Sequence, residues 1–191
     1  MESSVFDSLR EFAKPYYADK GELENPWHVQ RLLSSARELA ESEKVNDDLL
    51  VFGAHLHDMI FHLEERIRDF LFSLGLDRTL VIEIMKVAWE SGKEAKPETP
   101  EGNLLRDAHL IEGGKEYQMA KWLSAGAGAG QTLLQSLEFL EARVIGRYKC
   151  SAPKAQRIYE EIEDYRRQFV DVVREALRSG SAGAADNSAA R

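Results

Sequence analysis

Leu49-Leu50-Val51-Phe52-Gly53-Ala54-His55-Leu56-His57-Asp58 is an apolar run that ends on an imidazole beside a carboxylate. Asn46 stands at an N-cap position before it, and Asp47 and Asp48 fall in the first turn, where the helix dipole favours anions. Leu49, Phe52, Leu56 and Ile60 recur at helical spacing, so the run reads as a helix. A charge at the end of so apolar a stretch is costly unless it is paired or bound to a cation. The fold and the chemistry of the chain are read outward from this helix.

Upstream, residues 5–14 form a short amphipathic segment that Pro15 is expected to stop. Asn25-Pro26-Trp27 opens a second helix, with Val29, Leu32, Leu33, Ala36 and Ala40 on one face. Downstream, a helix near 64–74 ends at Gly75, and another near 78–91 ends at Gly92. Thr99-Pro100-Glu101 is a strong start signal: a capping hydroxyl, proline at the first helical position, then an acid. That helix carries Leu104, Leu105 and Leu110 and stops at Gly113-Gly114. Ser124 to Gly130 is alternating Gly and Ala and reads as a flexible loop. Two more helices follow, near 131–145 and 153–178. The sum is an all-α domain of roughly eight helices over 1–178. The Ser/Ala/Gly-rich tail, 179–191, is expected to be disordered.

Composition narrows the function. The 191 residues are 43% hydrophobic and 30% charged, with a formal net charge of −8. Basic clusters are lacking, so neither a nucleic-acid polymer nor an anionic membrane is an expected partner. The single cysteine, Cys150, excludes an intrachain disulfide and a cysteine metal cage. There is no signal-peptide pattern and no long apolar span, which gives a cytoplasmic expectation. The acidic surface and the apolar faces of the last helices permit a homodimer.

Of five histidines, His57 alone is followed by aspartate. His28 lies one helix upstream, and Asp107 lies on the Thr99-capped helix downstream. Three helices can thus bring two imidazoles and two carboxylates to one interior point. Such a donor set suits one divalent transition metal (Mn, Co, Ni, Fe or Zn) better than calcium. His55 is offset by two residues from His57, roughly 200° around a helix, and is expected to point elsewhere; His109, likewise offset from Asp107, is expected to be at best a pocket residue or one behind the ligands. His62 is read as a non-ligand too.

These residues resemble the signature of the HD-domain metal-dependent phosphohydrolases, H…HD…D on successive helices, with His28, His57-Asp58 and Asp107 in the signature places. Pro97-Glu98-Thr99-Pro100-Glu101-Gly102, followed by Leu105-Arg106-Asp107-Ala108-His109-Leu110, is similar to that family's "P-x-T-x-E-G … D-A-D-x-L" segment. The resemblance covers about residues 26–112. It implies a single HD-domain helical bundle and a hydrolase of a small phosphate ester or nucleotide. A single metal, held by His28, His57, Asp58 and Asp107, would activate water.

In that reading Asp58 contacts both metal and nucleophile, and Glu64 or Glu65 serves as acid, base or orienting group. Arg31, Lys93 and Arg106 are the candidate phosphate contacts. The chain departs from the family in three ways. Few histidines lie between Asp58 and Asp107, Phe61 stands where many nucleotidase members carry a Glu, and His109 stands where D-A-D has its second acid. A non-catalytic HD module that binds a phosphorylated ligand or a protein partner is therefore the alternative.

Overall fold

The computed structural model describes residues 1–18, 20, 26–40 and 44–186, with side chains described through residue 179. The described residues form nine helices and no strand. They are α1 (Ser3–Ala18), α2 (Pro26–Ala40), α3 (Asp47–Leu56), α4 (Ile60–Ser73) and α5 (Arg78–Glu90), then α6 (Pro100–Ile111), α7 (Gly114–Gly128), α8 (Leu133–Arg143) and α9 (Pro153–Asp186). None of these helices is long and apolar enough to cross a membrane. The chain falls into two compact units. One comprises Met1–Glu112 with Cys150–Arg157, the other Gly113–Lys149 with the chain from Ile158 onward.

In the first unit α2 packs on α6, and α3 packs on both α5 and α6. Leu32, Leu50, Phe52, Leu56, Ile60, Ile84, Leu105 and Ala108 are fully buried there. Gly53 lets α3 approach closely. A Cβ at that position would lie 2.5 Å from Leu105 Cδ1 and 2.7 Å from Val87 Cγ1.

The segment before and into α6 is a clamp. Thr99 caps the helix, its hydroxyl accepting from the Gly102 N–H at 3.0 Å. Glu101 accepts from the Asn46 N–H at 2.7 Å, which ties the start of α6 to the start of α3. Glu90, at the end of α5, accepts from the Glu98 and Thr99 N–H groups, each at 3.1 Å, and from the Thr99 hydroxyl. Gly102 leaves room for this, because a Cβ there would lie 2.6 Å from Glu90 Cβ. The P-E-T-P-E-G residues therefore act by fixing α6 against α3 and α5.

In the second unit Met119, Leu137, Leu140, Val144 and Val170 form the core, with Trp122, Tyr165 and Phe169 packed around it. Arg166 is buried there, bonded to Glu163 Oε1 at 2.6 Å and to Gln118 Oε1 at 3.1 Å. Thr132 and Gln135 close a reciprocal capping box at the start of α8.

The structure departs from three expectations. Pro15 does not stop α1, which continues to Ala18. Proline forfeits one backbone bond, and here the last turn places Tyr17 in the core at 1% exposure, where its hydroxyl donates to His55 O at 3.1 Å. The Gly/Ala stretch is not a loop but the last turn of α7 and its cap, ended by Gly130 at φ 75°. Alanine favours helix strongly enough to carry the interleaved glycines, and Gly126 is buried. α7 is the helix that periodicity did not reveal. α9 extends to Asp186, past the start of the tail at Ser179. Residues 187–191 and Asn25, the expected opening of α2, lie outside the described residues.

Candidate metal centre

His57 and Asp58 sit in the turn between α3 and α4, not within a helix. Consecutive residues on a helix diverge by about 100°. In the turn both can serve one site, and Asp58 Oδ2 lies 3.4 Å from His57 Nε2. His28, in the first turn of α2, brings its Nε2 within 2.9 Å of His57 Nε2. The third member is His109 on α6. Ring nitrogens of His28, His57 and His109 all lie within 4.8 Å of one another. The His109 ring centroid is 5.6 Å from that of His28 and 5.3 Å from that of His57.

The chemistry of these contacts fits a cation. His57 Nδ1 lies 2.8 Å from Ala54 O, which can only accept, so Nδ1 carries the proton. Tyr17 Oη is 3.2 Å from the same nitrogen. Burial pushes the His57 imidazole down to about 4, against the pull of Asp58 and with His28 adding to the push. The ring is therefore neutral at pH 7, with its Nε2 lone pair facing the cluster. His28 Nδ1 lies 2.7 Å from Glu112 Oε2, and both groups are essentially inaccessible to solvent. The pair is not aligned as a hydrogen bond, but the charge of that carboxylate favours the His28 proton on Nδ1, with Nε2 directed at His57. Two imidazole lone pairs 2.9 Å apart repel unless a cation, a proton or a metal ion, joins them. A carboxylate–histidine pair behind a ring nitrogen is also the usual support of a metal-ligating imidazole.

Of the residues expected at the site, His28 and His57 come together, and Asp58 lies beside His57. Asp107 does not join the cluster. It is fully buried, and its Oδ2 accepts from the backbone N–H groups of Ser151 at 2.8 Å and Ala152 at 2.7 Å, just before α9. Burial raises the Asp107 carboxyl, opposed by those two bonds. It is a cap for α9, and among the described residues the cluster that could hold a metal takes His109, not Asp107, from α6. His109 thus lies in the cluster itself and not merely beside it. The available signal was His109 at the second acid of the D-A-D-like segment.

Arg31 is drawn into the site indirectly, its Nε bonded to Glu112 Oε1 at 2.7 Å. Arg106 donates from Nε to the Lys93 carbonyl at 3.2 Å and lies 3.5 Å from Asp107 Oδ1. Glu64 is paired with Arg68 at 2.5 Å along α4, and Glu65 is exposed. His55 bonds Val51 O at 2.8 Å, away from the cluster, as expected from its offset. His62 is exposed. Two residues were missed by the sequence reading. Glu112 supports His28, and Lys20 places Nζ 3.6 Å from Asp58 Oδ2.

Solved structures of low sequence identity share this arrangement of helices. A Lactobacillus plantarum protein, 14% identical, superposes with a TM-score of 0.76, over 93% of this chain and 99% of that one. An HD-superfamily hydrolase from Bacillus thuringiensis, 16% identical, does so with a TM-score of 0.68, over 92% and 97%. The chain shares the fold of that Bacillus thuringiensis protein. Bacillus subtilis YpgQ, solved in complex with ADP, superposes at 14% identity with a TM-score of 0.68, over 90% of this chain and 97% of its own. No protein-family model and no curated protein matches the chain.

Proposed function

We propose that this chain is a metal-dependent phosphohydrolase acting on a small phosphate ester or a nucleotide. The observation that carries the reading is the convergence of three imidazoles beside Asp58, within an HD-hydrolase fold. His28, His57 and His109 would hold a divalent metal, and the Asp58 carboxylate beside His57 would be the fourth donor. When bound, the metal supplies a Lewis acid for a phosphoryl oxygen and a lowered pKa for water.

The chain's own residues do the rest. The Glu112 charge favours one tautomer of His28, and the Ala54 carbonyl fixes that of His57. Asp58 is a quarter exposed and so reaches the solvent from which the attacking water comes. Its carboxylate orients that water and accepts its proton. Lys20, 3.6 Å from Asp58 Oδ2, and Arg31, bonded to Glu112, would receive phosphate oxygens. The ADP complex of YpgQ supports a nucleotide as the ligand class here.

A second reading is a non-catalytic module that binds a phosphorylated ligand. It is favoured by Phe61, which stands three residues after Asp58 in place of an acid and stacks edge-on against Trp89 with centroids 4.7 Å apart. One experiment separates the two. Metal-loaded protein is incubated with nucleoside mono-, di- and triphosphates and simple phosphomonoesters, and released phosphate and pyrophosphate are measured beside Asp58→Asn. Turnover of any member, lost in the variant, supports the hydrolase. Nucleotide binding by calorimetry without turnover supports the binding module.

A further inference from the structure

We infer that His109 makes this a three-imidazole, one-carboxylate centre, which selects cobalt, nickel or zinc over manganese and magnesium. The inference rests on the metal-holding part of the function proposed above and goes beyond it to the class of ion.

Two residues of α6 compete for the site. The aspartate, Asp107, has its Oδ2 committed to the Ser151 and Ala152 N–H groups at 2.8 and 2.7 Å. The histidine, His109, has a ring nitrogen within 4.8 Å of ring nitrogens of both His28 and His57. The rotation of α6 that decides between them is held at its start and along its length. Thr99, Glu101 and Glu90 clamp its start, while Leu104, Leu105, Ala108 and Leu110 are buried along its length. Bringing Asp107 to the cluster would unseat that face and leave two backbone donors at the start of α9 without an acceptor.

The consequence is chemical. The acidic residue that sequence spacing offers as fourth ligand would give two anionic oxygens and a ligand charge of −2. The residue that lies there gives a neutral nitrogen, so the set carries −1. Hard ions such as magnesium and manganese depend on anionic oxygen ligands, whereas imidazole suits cobalt, nickel and zinc. Later first-row ions bind most nitrogen sites more tightly than manganese in any case. The diagnostic quantity is therefore the change in preference when His109 becomes a carboxylate.

The test uses the full-length protein, with metal affinities measured by chelator competition for Mn²⁺, Co²⁺ and Zn²⁺, and X-ray absorption recorded on the cobalt form. The wild type is expected to show three imidazoles around cobalt. His109→Asp should show two, and its Co²⁺-to-Mn²⁺ affinity ratio should fall by about tenfold or more. His109→Gln, which adds no charge, should lose affinity for all three ions and show two imidazoles. Should His109→Asp misfold, the wild-type spectrum decides alone. Two imidazoles in the wild type, or an unchanged ratio in a folded His109→Asp, overturn the inference while leaving a metal site on His28 and His57. No uptake of any ion overturns both it and the hydrolase reading. Three imidazoles without phosphoester turnover sustain the inference and remove the hydrolase alone.

Discussion

Glu112 is the residue whose replacement tests the logic of the centre most directly. Its side chain is 1% exposed, with Oε2 2.7 Å from His28 Nδ1 and Oε1 2.7 Å from Arg31 Nε. In Glu112→Gln the amide can face two ways. With its oxygen toward Arg31, its NH₂ meets His28 Nδ1, forces the proton onto Nε2 and blocks the nitrogen that faces His57. With its oxygen toward His28, the NH₂ opposes a guanidinium that is about one-third exposed and can turn to water. The second orientation costs less, so the tautomer survives and the loss is of charge alone. Partners behind a metal-ligating histidine are worth about 10–100-fold in metal affinity. Glu112→Gln belongs near the lower end, about 1.4 kcal/mol, and Glu112→Ala, which removes the acceptor altogether, near the upper end, about 2.7 kcal/mol. Chelator competition with Co²⁺ on folded variants measures both, with Arg31→Ala as the comparator expected to lose less than either. Affinities for Glu112→Gln and Glu112→Ala both within twofold of wild type would refute the tautomer argument and detach Glu112 from the site.

Asp107→Ala should lower stability by about 1–2 kcal/mol, as for loss of a helix cap, yet leave metal content unchanged. Thermal denaturation and elemental analysis read the two effects, and loss of the metal would restore Asp107 as a ligand. Gly53→Ala gains about 1 kcal/mol of helix propensity but drives a methyl into the buried Leu105 and Val87 side chains, a clash worth about 1–3 kcal/mol. A net fall in Tm is expected, and a rise would show that α3 and α6 can separate without strain. Burial, and after it Asp107, push the Cys150 thiol up to about 12. An acid with a raised pKa stays neutral as pH climbs past its ordinary value, so at pH 8 only about one thiol in ten thousand is ionised. Alkylation by iodoacetamide should stay slow through pH 9 in the folded protein and become fast in urea. A rate that rises with a midpoint near 8.5 in the folded state contradicts this. Removal of metal by a chelator should lower Tm, since an ion at 100 times its Kd stabilises the folded state by about 2.7 kcal/mol. An unchanged Tm with metal demonstrably lost would mean that the ion does not distinguish folded from unfolded chain.

Most helices were legible because their apolar residues recur at helical spacing and their ends carry caps, as at Asn46 and Thr99. α7 was not, because few of its residues are buried and alternating Gly and Ala give no stripe. The candidate site was legible in part. His28 and the His57-Asp58 pair follow from order and context. The α6 member of the cluster could not be found that way. Asp107 and His109 differ by two positions, which is more than half a turn, and both are chemically able to bind a metal. What separates them is the phase of α6, and that phase is set by Thr99, Glu101 and Glu90, none of which belongs to the cluster. Glu112 escaped for a related reason. The backbone leaves helical geometry at this residue, with φ −47° and ψ 128°. Its carboxylate can then meet His28 on α2, a contact between residues 84 positions apart (112 − 28). A ligand set is thus partly a property of helix rotation, and the residues that fix that rotation are as decisive for the chemistry as those that touch the ion.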